Sequence, residues 1–370
     1  MYRRVDESMK LDRVKIEGFK SIKSLDLELR PLNILIGANG VGKSNFVSFF
    51  KMLNQIVELN LERFVRQGGG ADSFLYFGRK KTPKLLFHLF FSQNAYRSIL
   101  IPTVDDLLIF EEERVYFHGH GYKEPFSDHL GSGHKESKLI EDAKQRPGKV
   151  ASHVLNNLKN WVVYHFHDTS ESAHVKRLGD LNDNIYLRSD AANLAAFLYK
   201  LKAGPFSPHY EQIRETIRMV APFFDDFILR PDPQNQHKIR LEWREKGSDY
   251  PFLAHHLSDG TLRFMCLATL LLQPLLPSTI LLDEPELGLH PSAITVLTGL
   301  LRGAASKTQV IVSTQSVTLI NQFEPDDLIV VERDENTSVF KRLEKEEVRD
   351  WVDDYGLGEM WEKNIFGGRP

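Results

Sequence analysis

Residues 37–44 read Gly-Ala-Asn-Gly-Val-Gly-Lys-Ser, and the flanks of that octet constrain the fold more than any other part of the chain. Before it runs Leu32-Asn33-Ile34-Leu35-Ile36, an apolar stretch of the kind that forms a strand buried on both faces. After it, Phe46, Phe49, Phe50, Leu53, Ile56, Val57, Leu61 and Phe64 recur at helical spacing from Ser44 to about Arg66, where Gly68-Gly69-Gly70 stops the pattern. Strand, glycine-rich turn and helix in that order fit G-x-x-x-x-G-K-[ST] in the context that validates it. Such a unit belongs in an α/β fold whose strand ends and helix N-termini meet at one edge of a sheet.

The residue types in the octet suit phosphate. Gly37, Gly40 and Gly42 let backbone N–H groups turn inward, Asn39, Val41 and Asn45 complete the candidate lining, and the helix N-terminus adds its positive dipole end. Lys43 is expected to reach the β- and γ-phosphates of a bound nucleotide, and Ser44 to ligate Mg²⁺. Far downstream, Ile280-Leu281-Leu282-Asp283-Glu284-Pro285 is an apolar strand that delivers two carboxylates to the same kind of edge. Asp283 is the candidate Mg²⁺ ligand and Glu284 the candidate catalytic base, with Glu286 read as a solvated acidic turn. Between these motifs, Leu257-Ser258-Asp259-Gly260-Thr261 opens a helix. Ser258 and the Gly260 N–H are candidate γ-phosphate contacts, or Ser258 is simply a helix cap. Arg263, one turn on, could approach phosphate or form a surface ion pair. Ser313-Thr314-Gln315-Ser316 ends the next strand and offers Gln315 as a catalytic γ-phosphate sensor, the alternative being a strand-to-helix cap.

Alternation in Val14–Phe19 and Leu25–Leu29 predicts half-buried antiparallel strands. Leu85–Phe91, Leu107–Phe117 and Trp161–Phe166 also read as strands, residues 118–150 as a loop with a short helix, and 190–227 as helices. From residue 255, loop, helix (Thr261–Leu272), strand, helix (Pro291–Ala304) and strand alternate as in a parallel sheet with crossover helices. The expected units are 1–95 with the phosphate loop, an inserted stretch 96–250, a second core lobe 251–345 and a helical tail 346–370. The tail's Trp351, Tyr355 and Trp361 are expected to pack on the chain's own core, with partner docking the alternative. Repeats, low-complexity tracts and sustained heptads are missing, so no long coiled coil is expected.

Bulk properties exclude several classes. The 370 residues carry a formal net charge of −3, which describes no general nucleic-acid glove, though a local basic face stays open. The single cysteine, Cys266, cannot form an internal disulfide, and the N-terminus has no secretory pattern, which points to a reducing cytoplasm. Phe264–Leu276, broken by Pro274, falls short of the ~18–20 residues of a membrane span. His165, His167 and Asp168 end a strand and could approach the nucleotide or a metal. His118, His120, His129 and His134 lie in a glycine-rich stretch without a recognised ligand spacing.

Taken together, these motifs resemble the ABC-type ATPases of the RecF/SMC/OLD-like group, and more narrowly the short bacterial AAA-domain ATPases, some of which lie in phage-defence and toxin–antitoxin loci. The residues that carry it are Ile16-Glu17-Gly18-Phe19-Lys20-Ser21, the phosphate loop, Leu257–Arg263, Asp283–Pro291, Ser313–Ser316, Val330–Arg333 and Leu357–Trp361, nearly the whole chain. The resemblance implies an α/β ABC-type P-loop NTPase fold: a mixed-sheet core, an antiparallel N-terminal subdomain and an α/β insertion. It implies ATP and Mg²⁺ as cofactors and a homodimer that sandwiches two ATPs. Ser258 and Gly260 would cap the partner's phosphates, Leu287–Pro291 would cross the interface, and His290 would touch the opposite site or serve only as a structural imidazole. Most members have histidine where Gln315 stands. An amide can donate but carries no charge, so slow turnover or a changed switch role is implied. The lid glutamine is not identifiable, with Gln67 and Gln93 the candidates. The function implied is a switch in DNA repair or antiviral defence. Any nuclease or toxin would come from a separate effector protein, because little chain follows residue 345, and DNA is a possible ligand. A non-hydrolysing regulator is the alternative, and a transporter motor a more distant one, disfavoured by the insertion and the Leu289-His290-Pro291 crossing loop.

Overall fold

The computed structural model describes residues 10–119, 124–351 and 354–368. Two six-stranded sheets dominate it. The first is antiparallel, in the order Ile22–Glu28, Arg13–Phe19, Leu85–Phe91, Asn94–Pro102, Leu108–Phe117 and Phe126–Gly131. The second runs Thr337–Arg342, Leu328–Asp334, Leu32–Ile36, Gln309–Thr314, Thr279–Asp283 and Trp161–Tyr164. Its five inner and following strands are parallel, and Thr337–Arg342 closes one edge antiparallel. The mixed-sheet core and the antiparallel N-terminal subdomain are therefore as expected from the sequence.

The parallel sheet is apolar on both faces because each strand alternates its side chains between two cores. Leu35, Leu281, Ile311, Ile329 and Val331 face the antiparallel sheet, with the helix Lys43–Val57 between the two sheets. On that helix Phe46, Phe49 and Phe50 are fully buried, each contributing roughly 1.5–3 kcal/mol. Ile34, Ile36, Ile280, Leu282, Val310 and Val312 face the other way, onto the helices Asp259–Leu272 and Pro291–Ala305. The strand Leu32–Ile36 and its helix are thus held from both sides, which fixes the turn between them.

Three sequence expectations change in detail. The helix expected from Ser44 to about Arg66 is two helices, Lys43–Val57 and Leu61–Gln67. Leu59 takes a left-handed φ of 57°, and the Glu136 carboxylate accepts the free Leu61 and Glu62 N–H groups of the second helix, both at 2.9 Å. The region 118–150 holds an edge strand, Phe126–Gly131, with most of its side chains exposed or half-buried, and two helices, Leu139–Gln145 and Val150–Lys159. An exposed edge strand carries no apolar alternation to read. The boundary expected at residue 95 falls inside Asn94–Pro102, which extends the antiparallel sheet, and Trp161–Tyr164 joins the parallel one. The elements set apart from both large sheets are the helices Leu194–Ala203 and Ser207–Val220 and two small three-stranded sheets between residues 179 and 253. The longest described helices have 15 residues, too short for a long coiled coil. No described helix is long and apolar enough to cross a membrane.

Candidate functional site

The candidate residues gather where parallel strands end. Gly42 caps the helix Lys43–Val57 with φ 119°, a conformation that L side chains rarely adopt, and a Cβ there would collide with the Ser338 side chain. Ser338 donates to the Val41 carbonyl and shares a 2.6 Å hydrogen bond with Ser21. Asn45 donates to Ser21 at 2.7 Å. The loop is braced from behind by Ser338 of the edge strand Thr337–Arg342 and by Ser21 of the turn between the first two strands, and Ser338 carried no motif by which sequence reasoning could find it. The Lys43 ammonium donates to the Gly37 carbonyl at 2.6 Å and the Ala38 carbonyl at 2.9 Å. An ammonium has three donors, so one remains for a phosphate oxygen. Burial lowers the Lys43 pKa, while the Glu284, Asp283 and Glu286 carboxylates pull it back up. Ser44 and Asn39 are exposed beside it.

The acidic strand pairs Asp283 with Ser313, and the Glu284 N–H donates to the Ser313 carbonyl at 2.7 Å. Glu284 itself sits at a left-handed φ of 42°, a conformation that turns the chain away from the strand. Its carboxylate accepts from Gln315 Nε2 at 2.6 Å, and the same amide donates to Asn39 Oδ1 at 2.7 Å. Both partners are oxygens, so the amide orientation follows from the network. Gln315 therefore joins the phosphate loop to the acidic pair. The hydroxyl of Ser44 and the carboxylates of Asp283 and Glu284 are hard oxygen donors, the set that suits Mg²⁺. Glu286 is not a solvated turn. It is buried, accepts from the Thr314 hydroxyl, and keeps one carboxylate oxygen unpartnered among the described residues. Burial raises its pKa.

Ser258 caps the helix Asp259–Leu272, with its hydroxyl accepting from the Thr261 N–H at 3.2 Å. Gly260 packs so closely on Gly288 that a Cβ would strike the Gly288 carbonyl. Arg263 neither faces phosphate nor forms a surface pair. It is buried and donates to the carbonyls of Phe166 at 3.0 Å, His167 at 3.3 Å and Leu287. Desolvation lowers its pKa. His290 caps its own helix through Ser292. Among the described residues, no hydrogen bond joins Ser258, Gly260 or His290 to residues 37–45. Ser258, Leu287 and His290 form one exposed rim instead.

The strand Trp161–Tyr164 runs parallel to the acidic strand and places Phe166 and His167 beside Asp283 and Glu284, whereas His165 lines a separate groove with Lys51 and Asp190. Asp168 turns away and accepts from Ser170. Gln93 lies in the hairpin turn after Phe91, at the Arg13 end of the antiparallel sheet and so opposite Ser21, and Gln67 ends a helix; among the described residues neither is hydrogen-bonded to residues 37–45. His134 stacks on Phe110 and bonds Glu113 at 2.9 Å, and the backbone N–H of His118 donates to the Gln93 carbonyl. His120 lies outside the described residues. Among those described, no group of three His, Cys, Asp or Glu could hold a metal. Trp361 is buried and donates to the Gly368 carbonyl, whereas Trp351 is partly exposed.

Residues 32–321 match the family described as "AAA domain, putative AbiEii toxin, Type IV TA system". A curated relative, the Old nuclease of Escherichia phage P2, is 23% identical over 394 residues, spanning 93% of this chain and 62% of that protein. Among solved structures, an Smc head bound to the C-winged helix domain of ScpA superposes with a TM-score of 0.54 at 16% identity, covering 91% of this chain and 99% of that one. The Pyrococcus furiosus Smc head with an extended coiled coil, bound to the C-terminal domain of ScpA, gives 0.51 at 14% identity, covering 93% and 98%. At these identities the likeness carries the fold, an ABC-type P-loop ATPase fold.

Proposed function

We propose, for a chain that belongs to this AAA-domain family and to the RecF/SMC/OLD-like group of ATPases, an ATP-driven switch that closes as a dimer and reopens on hydrolysis. The observation that carries the reading is the amide of Gln315 bridging Asn39 and Glu284, which unites three sequence-distant motifs at one sheet edge. Lys43 would give its remaining donor to the nucleotide phosphates, with the loop N–H groups and the helix N-terminus around them. Ser44 and Asp283 would hold Mg²⁺, whose charge neutralises the transferring phosphoryl group. Glu284 would orient the attacking water and accept its proton. A γ-phosphate would compete for the Gln315 amide, so nucleotide would be sensed through the Asn39–Gln315–Glu284 link. Ser258, Gly260 and the rim at Leu287–Pro291 would meet the phosphates of a second copy.

The output of the switch would pass to a separate effector in antiviral defence or DNA repair. The toxin–antitoxin description of the family and the nuclease name of the phage relative support that setting, and DNA is a further candidate ligand. Phosphate release by the native chain and by Glu284→Gln tests the enzyme reading. The native chain should turn over slowly, and the variant should lose at least about a hundredfold in rate while still binding Mg²⁺–ATP. Native protein that binds ATP but releases no phosphate would make it a nucleotide-dependent regulator. Native and variant chains alike that neither bind nor hydrolyse ATP would overturn both readings.

A further inference from the structure

We propose that Glu286 is a positioning residue of the nucleotide site, which through Thr314 sets the turn that aims the Gln315 amide and ties that turn to the rim loop Leu287–Pro291. The inference rests on the ATP-site reading above. Gln315 lies between the last residue of the strand Gln309–Thr314 and Ser316, the cap of the short helix Val317–Ile320. One hydroxyl pins both of its flanks: Thr314 donates to the Glu286 carboxylate and accepts from the Ser316 N–H at 3.0 Å. The backbone N–H of Gln315 also helps to hold the Glu286 charge. The side-chain amide carried by this turn donates to Asn39 and Glu284. A glutamine side chain is long and flexible, so its direction depends on a fixed backbone beneath it.

Glu286 is also where the rim begins. Its carbonyl accepts from the Leu289 N–H at 2.9 Å, the next carbonyl, that of Leu287, accepts from buried Arg263, and Gly288 packs on Gly260. A single side chain therefore joins the turn proposed to sense phosphate to the loop proposed to meet a second copy. Stability does not explain the contact. Glu286 is 8% exposed, and its second carboxylate oxygen is buried without a partner among the described residues. A buried acceptor left without a donor is destabilising, whereas replacing both partners of a buried hydrogen bond by apolar groups of similar shape is nearly neutral or stabilising. A brace built for stability alone would be apolar.

The experiment compares native, Glu286→Gln, Thr314→Ser, Thr314→Val and Glu286→Leu/Thr314→Val chains in melting, Mg²⁺–ATP binding and phosphate release. The double variant, with both partners apolar, should melt with the native chain or above it. It should bind ATP within about threefold of native yet lose about tenfold or more in kcat. Thr314→Val alone should lose as much. Thr314→Ser, which keeps the hydroxyl, and Glu286→Gln, which keeps an acceptor, should recover most of the rate. Adding Thr314→Val to Gln315→Ala should cost nothing further, because both act through one amide. The readout independent of turnover is the Gln315 side-chain amide in ¹⁵N spectra, identified by its absence from Gln315→Ala. Without nucleotide it should be displaced in the double variant and near its native position in Glu286→Gln. Native turnover or an undisplaced Gln315 resonance in the double variant, or a loss that adds to that of Gln315→Ala, would overturn the proposal. Should the double variant not fold, Thr314→Val carries the same comparisons. A native chain that binds no ATP would instead bring down the parent reading, and the Gln315 resonance would still decide whether Glu286 aims that amide.

Discussion

Arg263 is the side chain whose removal should cost the structure most for its size. Its guanidinium is buried and satisfies carbonyls of Phe166, His167 and Leu287, three points on two loops that flank the acidic strand. Arg263→Ala would leave those acceptors unpaired and is expected to destabilise the chain by about 3 kcal/mol, read as a lower urea midpoint. Arg263→Lys should recover only part, because one ammonium cannot span the planar fork. The motif residues at this edge were legible because their chemistry requires a fixed spacing: Lys43, Ser44, Asp283 and Glu284 could be named from the sequence alone. Arg263 and Glu286 were not, since spacing says nothing about which way a side chain turns. Arg263 read as a phosphate contact or a surface ion pair and Glu286 as a solvated turn, yet both are buried, Arg263 with its head on loop carbonyls and Glu286 on the Thr314 hydroxyl at the end of a strand.

At the scale of elements, strand Leu85–Phe91 shows how one face of a sheet can be legible and the other not. Leu85, Phe87, Leu89 and Phe91 alternate into the core as the pattern predicts. His88 is on the opposite face, its ring tilted against that of Phe90 with a centroid distance of 4.0 Å, and paired across the sheet with Lys15 and Arg97. Burial and the neighbouring Arg97, Lys15, His118 and Arg13 lower its pKa to about 4, although Glu112 and Asp26 hold Arg97 and Lys15 in ion pairs. The folded chain keeps His88 neutral while the unfolded chain binds a proton near the ordinary value of about 6.5. Its contribution is therefore present above pH ~6.5 and is lost as pH falls from there through about 4. The urea midpoint should drop between pH 7 and pH 5, and His88→Leu should flatten part of that drop. Equal slopes in the two proteins would mean that other groups set the pH dependence. The edge strand Phe126–Gly131 marks the opposite limit: with little to bury it has no periodicity, and only its pairing with Leu108–Phe117 makes it a strand.

At the scale of the molecule, the placement of Ser258 and Gly260 argues for a second copy. Gly260 is pressed against Gly288, so the start of its helix and the loop after the acidic pair form one exposed rim, and Leu287 on it is 51% exposed. That rim makes no hydrogen bond to residues 37–45 among those described, so its proposed phosphate contacts need another subunit. In a two-fold dimer each composite site would take its phosphate loop from one chain and its rim from the other. Lys43→Ala and Ser258→Arg should each be inactive alone. Mixed in equal amounts, they should form heterodimers in which one site carries both lesions and the other carries none. Random pairing then predicts recovery of about a quarter of native phosphate release. Size measurements should show the mixture dimerising with ATP and Mg²⁺ and returning to monomer once nucleotide is removed. Should the mixture stay inactive while native protein hydrolyses ATP as a monomer, Ser258 acts on its own subunit or not at all. The switch would then have to work through the Asn39–Gln315–Glu284 link within one chain.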